Sequence, residues 1–306
     1  MKILVGSTGF VGSNILKSFS FDRSFNSKNI DDAYSLNPEL LVYAGLRAEK
    51  FLANSDPEAD MANIYAAEEN IRKINPKRLV LISTVDVLKN PCGCDESTEI
   101  ETDGLHPYGL NRYRLESWVR ENYPEALIIR LPALFGINLK KNFLYDFINV
   151  IPSMLREDKF HELLIKAPEL RDFYEPAQPG FYKCRSITSD EKAWLKQRFL
   201  RLGFTALNFT DSRSVYQFYP LSRLWHDICT LLDAGVTLFH PATEPVSAAE
   251  IYKALTGRDF KNELSGTPAY YDFRTNYAAL FGRADGYIAS KSEIISEICE
   301  YVGNYK

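Results

Sequence analysis

Gly6, Gly9 and Gly12 recur at three-residue intervals directly after a short apolar run, Ile3-Leu4-Val5, and directly before a segment of helical spacing. In that segment, Ser13 to Ser20, residues Ile15, Leu16 and Phe19 fall on one face. A buried strand, a glycine turn and a helix open a dinucleotide-binding βαβ unit. Gly6 lets the chain turn tightly, Gly9 has no side chain to block a pyrophosphate, and Gly12 lets the helix pack close to the strand. The helix N-terminus offers free N–H groups and a partial positive charge to phosphate oxygens. The candidate cradle is therefore Gly6, Ser7, Thr8, Gly9, Phe10, Val11 and Gly12. A glycine-rich turn of some other α/β protein fits the triplet as well, so the rest of the chain has to decide.

Further apolar runs follow. Leu40 to Ala44 reads as a buried strand ending at Gly45, Arg78 to Ser83 as another, and Ala126 to Leu131 as a third. Between them Ala59 to Ile74 and Tyr108 to Asn122 show helical spacing. Strands alternating with helices predict a parallel, doubly wound sheet. Ligands of such sheets bind beyond the carboxyl ends of the strands, where Gly6, Gly45, Thr84 and Leu131 sit. Past about Pro152 the pattern changes. Pro176 to Ser189 reads as irregular, and helices are expected over Asp190 to Leu202 with Asp190 as cap, Leu221 to Leu232, and Ser247 to Thr256.

With 306 residues the chain suits one large α/β domain or a nucleotide domain with a smaller lobe. A net charge of −4 gives no reason to expect nucleic acid or an anionic membrane as partner. No apolar run approaches the roughly 18 residues of a membrane span. Gly6 arrives before a signal-peptide h-region could form. The five cysteines are odd in number and scattered, which argues against a disulfide framework and for a reducing cytoplasm. Cys92-Gly93-Cys94 lacks the further ligands zinc requires, and His161, His226 and His240 show no metal spacing, so no metal is expected.

Tyr108 and Arg112 stand four apart and project from the same helix face. A free tyrosine, with a pKa of about 10, is a poor base near neutrality. A nearby cation and a positive nicotinamide ring would lower that value. Such a tyrosine can exchange a proton with a sugar or alcohol oxygen while hydride moves between carbon and nicotinamide. Thr84, at a strand end, can bond the same oxygen and hold it in line. Each residue alone also fits a bland role, Tyr108 as a surface residue and Thr84 as a local backbone acceptor. The second strand is poorly defined, and its expected end carries Asn26, Ser27 and Lys28 instead of a carboxylate. Lys28 or Arg23 could meet the extra phosphate of NADP, while Asp31 and Asp32 leave NAD open. The balance tips to NADP. Arg47 could reach a substrate phosphate, and Tyr216 to Tyr219 could stack on a base or sugar.

As a set these motifs resemble the extended short-chain dehydrogenase/reductases of the NAD-dependent epimerase/dehydratase family. The resemblance rests on Gly6-x-x-Gly9-x-x-Gly12, Ala44-Gly45, Asn63, Ile82-Ser83-Thr84, Asp95-Glu96, Pro107-Tyr108-Gly109-x-x-Arg112 and Arg130-Leu131-Pro132-x-x-Phe135-Gly136. It implies a Rossmann-type doubly wound parallel sheet over residues 1–150. A smaller mixed α/β substrate-binding lobe would occupy mainly 151–306, with elements returning to the first domain. It further implies an NAD- or NADP-dependent epimerase or reductase acting on a nucleotide-activated sugar. Tyr108 would be the acid/base and Thr84 would orient the reacting oxygen. Ala44, Gly45, Ser83, Tyr108, Arg112 and Leu131 would join the glycine cradle around the cofactor. In many relatives, helices matching Ala59–Ile74 and Tyr108–Asn122 form a homodimer.

Two departures matter. Arg112 stands where the family has a lysine that contacts the nicotinamide ribose and depresses the tyrosine pKa. Arginine keeps the charge but does not give up its proton, which leaves a second reading open: a non-catalytic dinucleotide sensor or regulatory subunit. Thr84 is followed by Val85 and Asp86, where 4,6-dehydratases carry an Asp-Glu pair. Dehydration is therefore disfavoured.

Overall fold

A computed structural model describes residues 1–177 and 179–305. The chain forms two compact units: 1–139 with 215–247 and 269–301, and 140–214 with 248–268 and the C-terminal residues from 302 on. The first unit starts with β1 (Lys2–Val5), α1 (Phe10–Ser18), β2 (Arg23–Phe25), β3 (Leu40–Tyr43), α2 (Lys50–Ser55) and α3 (Pro57–Ile74). It continues with β4 (Arg78–Thr84), α4 (Pro107–Asn122), β5 (Leu127–Leu131) and β6 (Ala133–Phe135). The second unit then takes α5 (Phe143–Asn149), β7 (Met154–Arg156), α6 (Glu157–Lys166), β8 (Tyr174–Pro176), β9 (Phe181–Cys184) and α7 (Ser189–Leu202). The chain returns through β10 (Val215–Tyr216), β11 (Phe218–Pro220), α8 (Leu224–Asp233), β12 (Leu238–Phe239) and β13 (Val246–Ser247). Helix α9 (Ala248–Thr256) falls in the second unit, and α10 (Lys291–Gly303) lies near the chain end.

The main sheet has the order β12-β5-β4-β3-β1-β2, and all its pairings are parallel. Strands covered on both faces have no solvent side, which is why β3, Leu79–Ile82 of β4 and Leu127–Ile129 of β5 read as unbroken apolar runs. Leu4, Val42, Val80, Ile82 and Ile129 pack on one face with Ile15 of α1 and Leu224, Ile228 and Leu231 of α8. Their alternate neighbours Ile3, Val5, Leu41, Leu79, Leu81 and Ile128 pack on the other with α3 and α4. From β1 the chain moves outward to β2, then back across β1 to β3 and onward to β4 and β5. That reversal places a crevice between the carboxyl ends of β1 and β3, the usual ligand position in open α/β sheets.

The second unit is built on an antiparallel sheet, β7-β9-β8, with α6 and α7. Leu155, Phe160, Leu163, Leu170, Tyr174, Leu195 and Phe199 form its core. Strand β9 lies inside the stretch expected to be irregular. It pairs with β8 across a short turn and with β7 farther back in the chain, and a strand of four residues is too short to show a period. The cap of α7 is also different. Thr188, not Asp190, is the N-cap, and it forms a reciprocal capping box with Glu191. Asp190 sits inside the first turn, where a carboxylate favours the helix dipole. Helix α1 begins at Phe10, three residues earlier than expected, because Gly9 serves as its N-cap. Among the described residues no helix is long and apolar enough to cross a membrane.

Candidate active site

The glycine turn is shaped by the backbone around it. Gly6 has φ +93°, and a Cβ there would overlap the Ala44 carbonyl oxygen. The position is restricted to glycine on both counts. A Cβ at Gly12 would overlap the Gly6 carbonyl oxygen, so α1 can lie against the turn only with glycine there. Ser7 donates from its amide and its hydroxyl to the Phe25 carbonyl, which fastens the turn to the end of β2. Thr8 and Gly9 are exposed. Gly9 caps α1 without any side-chain bond, and the first turn carries no acidic residue. The leading amides of a helix have no intrahelical acceptor. A Cβ at Gly9 would meet only the Gly6 carbonyl oxygen, at 3.2 Å, so the space ahead of the helix is open. These features fit a pyrophosphate. Ala44 and the exposed Gly45 continue the same edge at the end of β3.

Thr84 and Tyr108 meet on this sheet edge. Thr84 ends β4, and its Oγ1 accepts from the Asp86 amide at 3.1 Å. Pro107 opens α4, with His106 as N-cap accepting from the Gly109 amide at 3.0 Å through Nδ1. Gly109 approaches the turn after β4 so closely that a Cβ would overlap the Asp86 carbonyl oxygen. That approach carries Tyr108 to Thr84. The Tyr108 amide is held by Asn54 Oδ1 at 3.0 Å. Burial pushes the Tyr108 phenol above its ordinary value, the Asp86 and Asp60 carboxylates add to this, and the Arg112 charge and a hydrogen bond with Thr84 oppose it. The expected lowering by a cation is present, but burial outweighs it in the free protein.

Arg112 is nearly inaccessible, with 3% of its side chain exposed. Its Nη1 donates to the Asp60 carboxylate and to the Tyr108 carbonyl, and its Nη2 donates to the Arg47 carbonyl at 2.7 Å. Its guanidinium lies over the Tyr108 ring, 3.9 Å from the centroid. Asp60 Oδ2 also accepts from Asn111 at 2.9 Å, and Asn111 further bonds the Pro57 carbonyl. Nearby, Lys50 pairs with Asp86 at 2.8 Å, and Tyr271 hydrogen-bonds the same carboxylate. Burial, then the Lys50 charge, holds the His106 imidazole below its ordinary value.

Other expected residues are placed differently from one another. Leu131 ends β5 in register with Thr84 and is buried in the core. The Ser83 hydroxyl turns inward to Glu116 at 2.5 Å, leaving its backbone at the strand end. Glu116 holds Arg130 through both carboxylate oxygens, and Arg130 reaches His240 Nε2 at 3.2 Å. A guanidinium only donates, so Nε2 accepts and the proton lies on Nδ1. That atom is buried and makes no hydrogen bond among the described residues. Arg23 opens β2 opposite Ile3, away from the strand's carboxyl end, so it does not join Lys28 there. Lys28 is exposed in a turn organised by Asn26, and Asp31 and Asp32 are exposed beyond it. The Arg47 side chain is exposed, while its carbonyl serves Arg112. Asn63 bonds the Ala59 carbonyl one turn back on α3. Asp60, not Asn63, is the α3 residue that reaches the site. Nothing in the sequence sets Asp60 apart, because a carboxylate in a first helical turn is ordinary. Among the described residues no group of three or more His, Cys, Asp or Glu is placed to hold a metal ion.

No family model matches the chain. UDP-glucose 4-epimerase of Vibrio cholerae is 25% identical over 179 residues, which is 46% of this chain and 54% of that protein. The match thus spans about half of the curated relative's length. Among solved structures, dTDP-4-dehydrorhamnose reductase of Bacillus anthracis, in complex with NADP, aligns over 100% of this chain and 99% of its own with TM-score 0.63 at 16% identity. The Bordetella bronchiseptica enzyme WbmG, in complex with NAD and UDP, aligns over 99% of this chain and 94% of its own with TM-score 0.64 at 13% identity. These likenesses establish that the chain shares the fold of these enzymes over its length, with the Rossmann-type sheet in the first unit.

Proposed function

We propose that the chain is a nicotinamide-dinucleotide enzyme of the extended short-chain dehydrogenase/reductase type, acting on a nucleotide-activated sugar by keto reduction or epimerisation. The observation that carries this reading is the meeting of Tyr108 and Thr84 on the sheet edge that also bears the glycine turn. The relatives named above act on or bind nucleotides and nucleotide sugars, which supports the substrate class. In this reading Gly6 to Gly12 hold the pyrophosphate through the leading amides of α1. Ala44, Gly45, the Ser83 backbone and Leu131 line the cofactor's path along the strand ends. The bound dinucleotide supplies hydride exchange with a sugar carbon.

Tyr108 moves the proton. Its phenol is raised by burial, so near neutral pH it is a donor. A donor aimed at a carbonyl oxygen suits the reductive direction, in which the new alkoxide takes its proton from the phenol. Thr84 presents a hydroxyl to the same oxygen and fixes its line of approach. Val85, buried beside Thr84, offers no carboxylate, and Asp86 is engaged by Lys50, which disfavours elimination of water. The second unit is read as the substrate-recognition lobe, and α3 and α4 as a homodimer face.

Lys28, and the absence of a carboxylate at the end of β2, favour NADP. Calorimetric titration of the cofactor-free protein with NAD, NADH, NADP and NADPH tests the reading. Tight binding of one pair is expected, with the phosphorylated pair ahead, followed by turnover of a nucleotide sugar that Tyr108→Phe abolishes. Failure of all four to bind would end it. One observation favours a second reading, a sensor without turnover: the Arg112 guanidinium is engaged by Asp60 and the Arg47 carbonyl. Binding without turnover of any nucleotide sugar would select that reading.

A further inference from the structure

We propose that Asp60 and Arg112 form one positioning unit for Tyr108, and that Arg112 is not a group that holds the dinucleotide. The proposal deepens the functional reading above and rests on it for the role of Tyr108. A cation four residues after Tyr108 would reach the ribose of a cofactor only if its donors faced the crevice. Here they face the protein. Nη1 is taken by Asp60 and the Tyr108 carbonyl, Nη2 by the Arg47 carbonyl, and the plane of the group covers the Tyr108 ring. The side chain is almost wholly buried, and so is Asp60. Asn111 completes the clamp, tying Asp60 to α4 and α4 to the Pro57 carbonyl at the start of α3.

The clamp does two things. It fixes the height and tilt of the phenol ring, because a planar guanidinium against an aromatic face resists sliding more than a lysine ammonium does. It also neutralises most of the charge that would otherwise draw the phenol toward its ionised form, which keeps Tyr108 a proton donor. Asp60 thus decides what an arginine at 112 means. With the carboxylate in place the arginine is a structural wall. Without it a bare buried guanidinium would stand against the phenol.

Four charged or titratable groups face Tyr108. They are Arg112 on α4, the cap residue His106 before it, Asp60 on α3, and Asp86 after β4, the last paired with Lys50 of α2 and bonded by Tyr271. The full chain, labelled with ¹³Cζ-tyrosine and assigned with Tyr108→Phe, reports the Tyr108 ionisation midpoint directly. In Asp60→Asn the midpoint should fall by about one unit or more, and in Asp60→Glu it should stay near that of the unaltered protein. An unchanged midpoint in folded Asp60→Asn would overturn the proposal. If Asp60→Asn does not fold, the neutral pair Asp60→Asn/Arg112→Gln replaces it, since removing both charges of a buried pair is better tolerated than removing one. That double variant should bind NADP or NAD as tightly as the unaltered protein. A loss of about tenfold or more would show that Arg112 holds the dinucleotide and would equally overturn the proposal. Should the chain bind no dinucleotide at all, the functional reading fails while the tyrosine titration still decides this one.

Discussion

At Gly12 a single methyl group would collide with the Gly6 carbonyl oxygen, and neither backbone can yield without lifting α1 from β1. Gly12→Ala should therefore cost about 1–3 kcal/mol, read as a lowered urea midpoint, and should abolish dinucleotide binding measured by calorimetry. The two losses need not track each other, because binding fails once the helix amides move by a fraction of an ångström. Tyr108→Phe makes the opposite case. It removes one hydroxyl, keeps the ring under Arg112 and should leave dinucleotide affinity intact. Turnover should drop by roughly 10²–10⁴-fold, and a smaller drop would point to another proton donor.

Between elements, a buried polar set joins α4 to the sheet. Glu116 is fully buried on α4 and binds Arg130 of β5 and Ser83 of β4. Glu116→Ala would leave the buried Arg130 charge without its carboxylate, so a loss of about 3–5 kcal/mol is expected by chemical denaturation. His240 extends this set and sets an acid limit. Burial and the Arg130 charge push its imidazole down to about 3, against about 6.5 in an unfolded chain. The fold binds it neutral and the unfolded state takes up the proton more readily. The stability it contributes is therefore complete above pH 6.5 and lost as pH falls from there toward 3. In His240→Asn the melting temperature should decline less over that interval.

The elements that could be read from the sequence are those whose pattern is local. Strands β1, β3, β4 and β5 announce themselves as apolar runs because both their faces are covered. The glycine turn and the Tyr108–Arg112 spacing are local too. Asp60, Asn111, Glu116 and His240 were not legible, because each acquires its role from a partner 14 to 110 residues away. Strands β9 and β2, of four and three residues, are too short to show a period.

For the molecule as a whole, the parallel sheet places the ends of β1, β3, β4 and β5 on one edge, so the glycine turn and the Tyr108–Thr84 pair share a unit although Gly6 and Tyr108 are 102 positions apart. The homodimer that the resemblance implies would use α3 and α4, and Tyr65 of α3 is 61% exposed. Sedimentation velocity should then show a species of twice the chain mass, and Tyr65→Glu should shift it toward one copy.

The overlap that a side chain at Gly109 would make with the Asp86 carbonyl has a consequence for how this site can be redesigned. Suppose residues 108 to 112 and residue 60 were randomised together and survivors selected for turnover. Position 112 should return several answers, each matched to its own choice at 60. Position 109 should return glycine alone, because it sets the gap between the Tyr108 and Thr84 hydroxyl groups and no partner elsewhere in the chain can widen it.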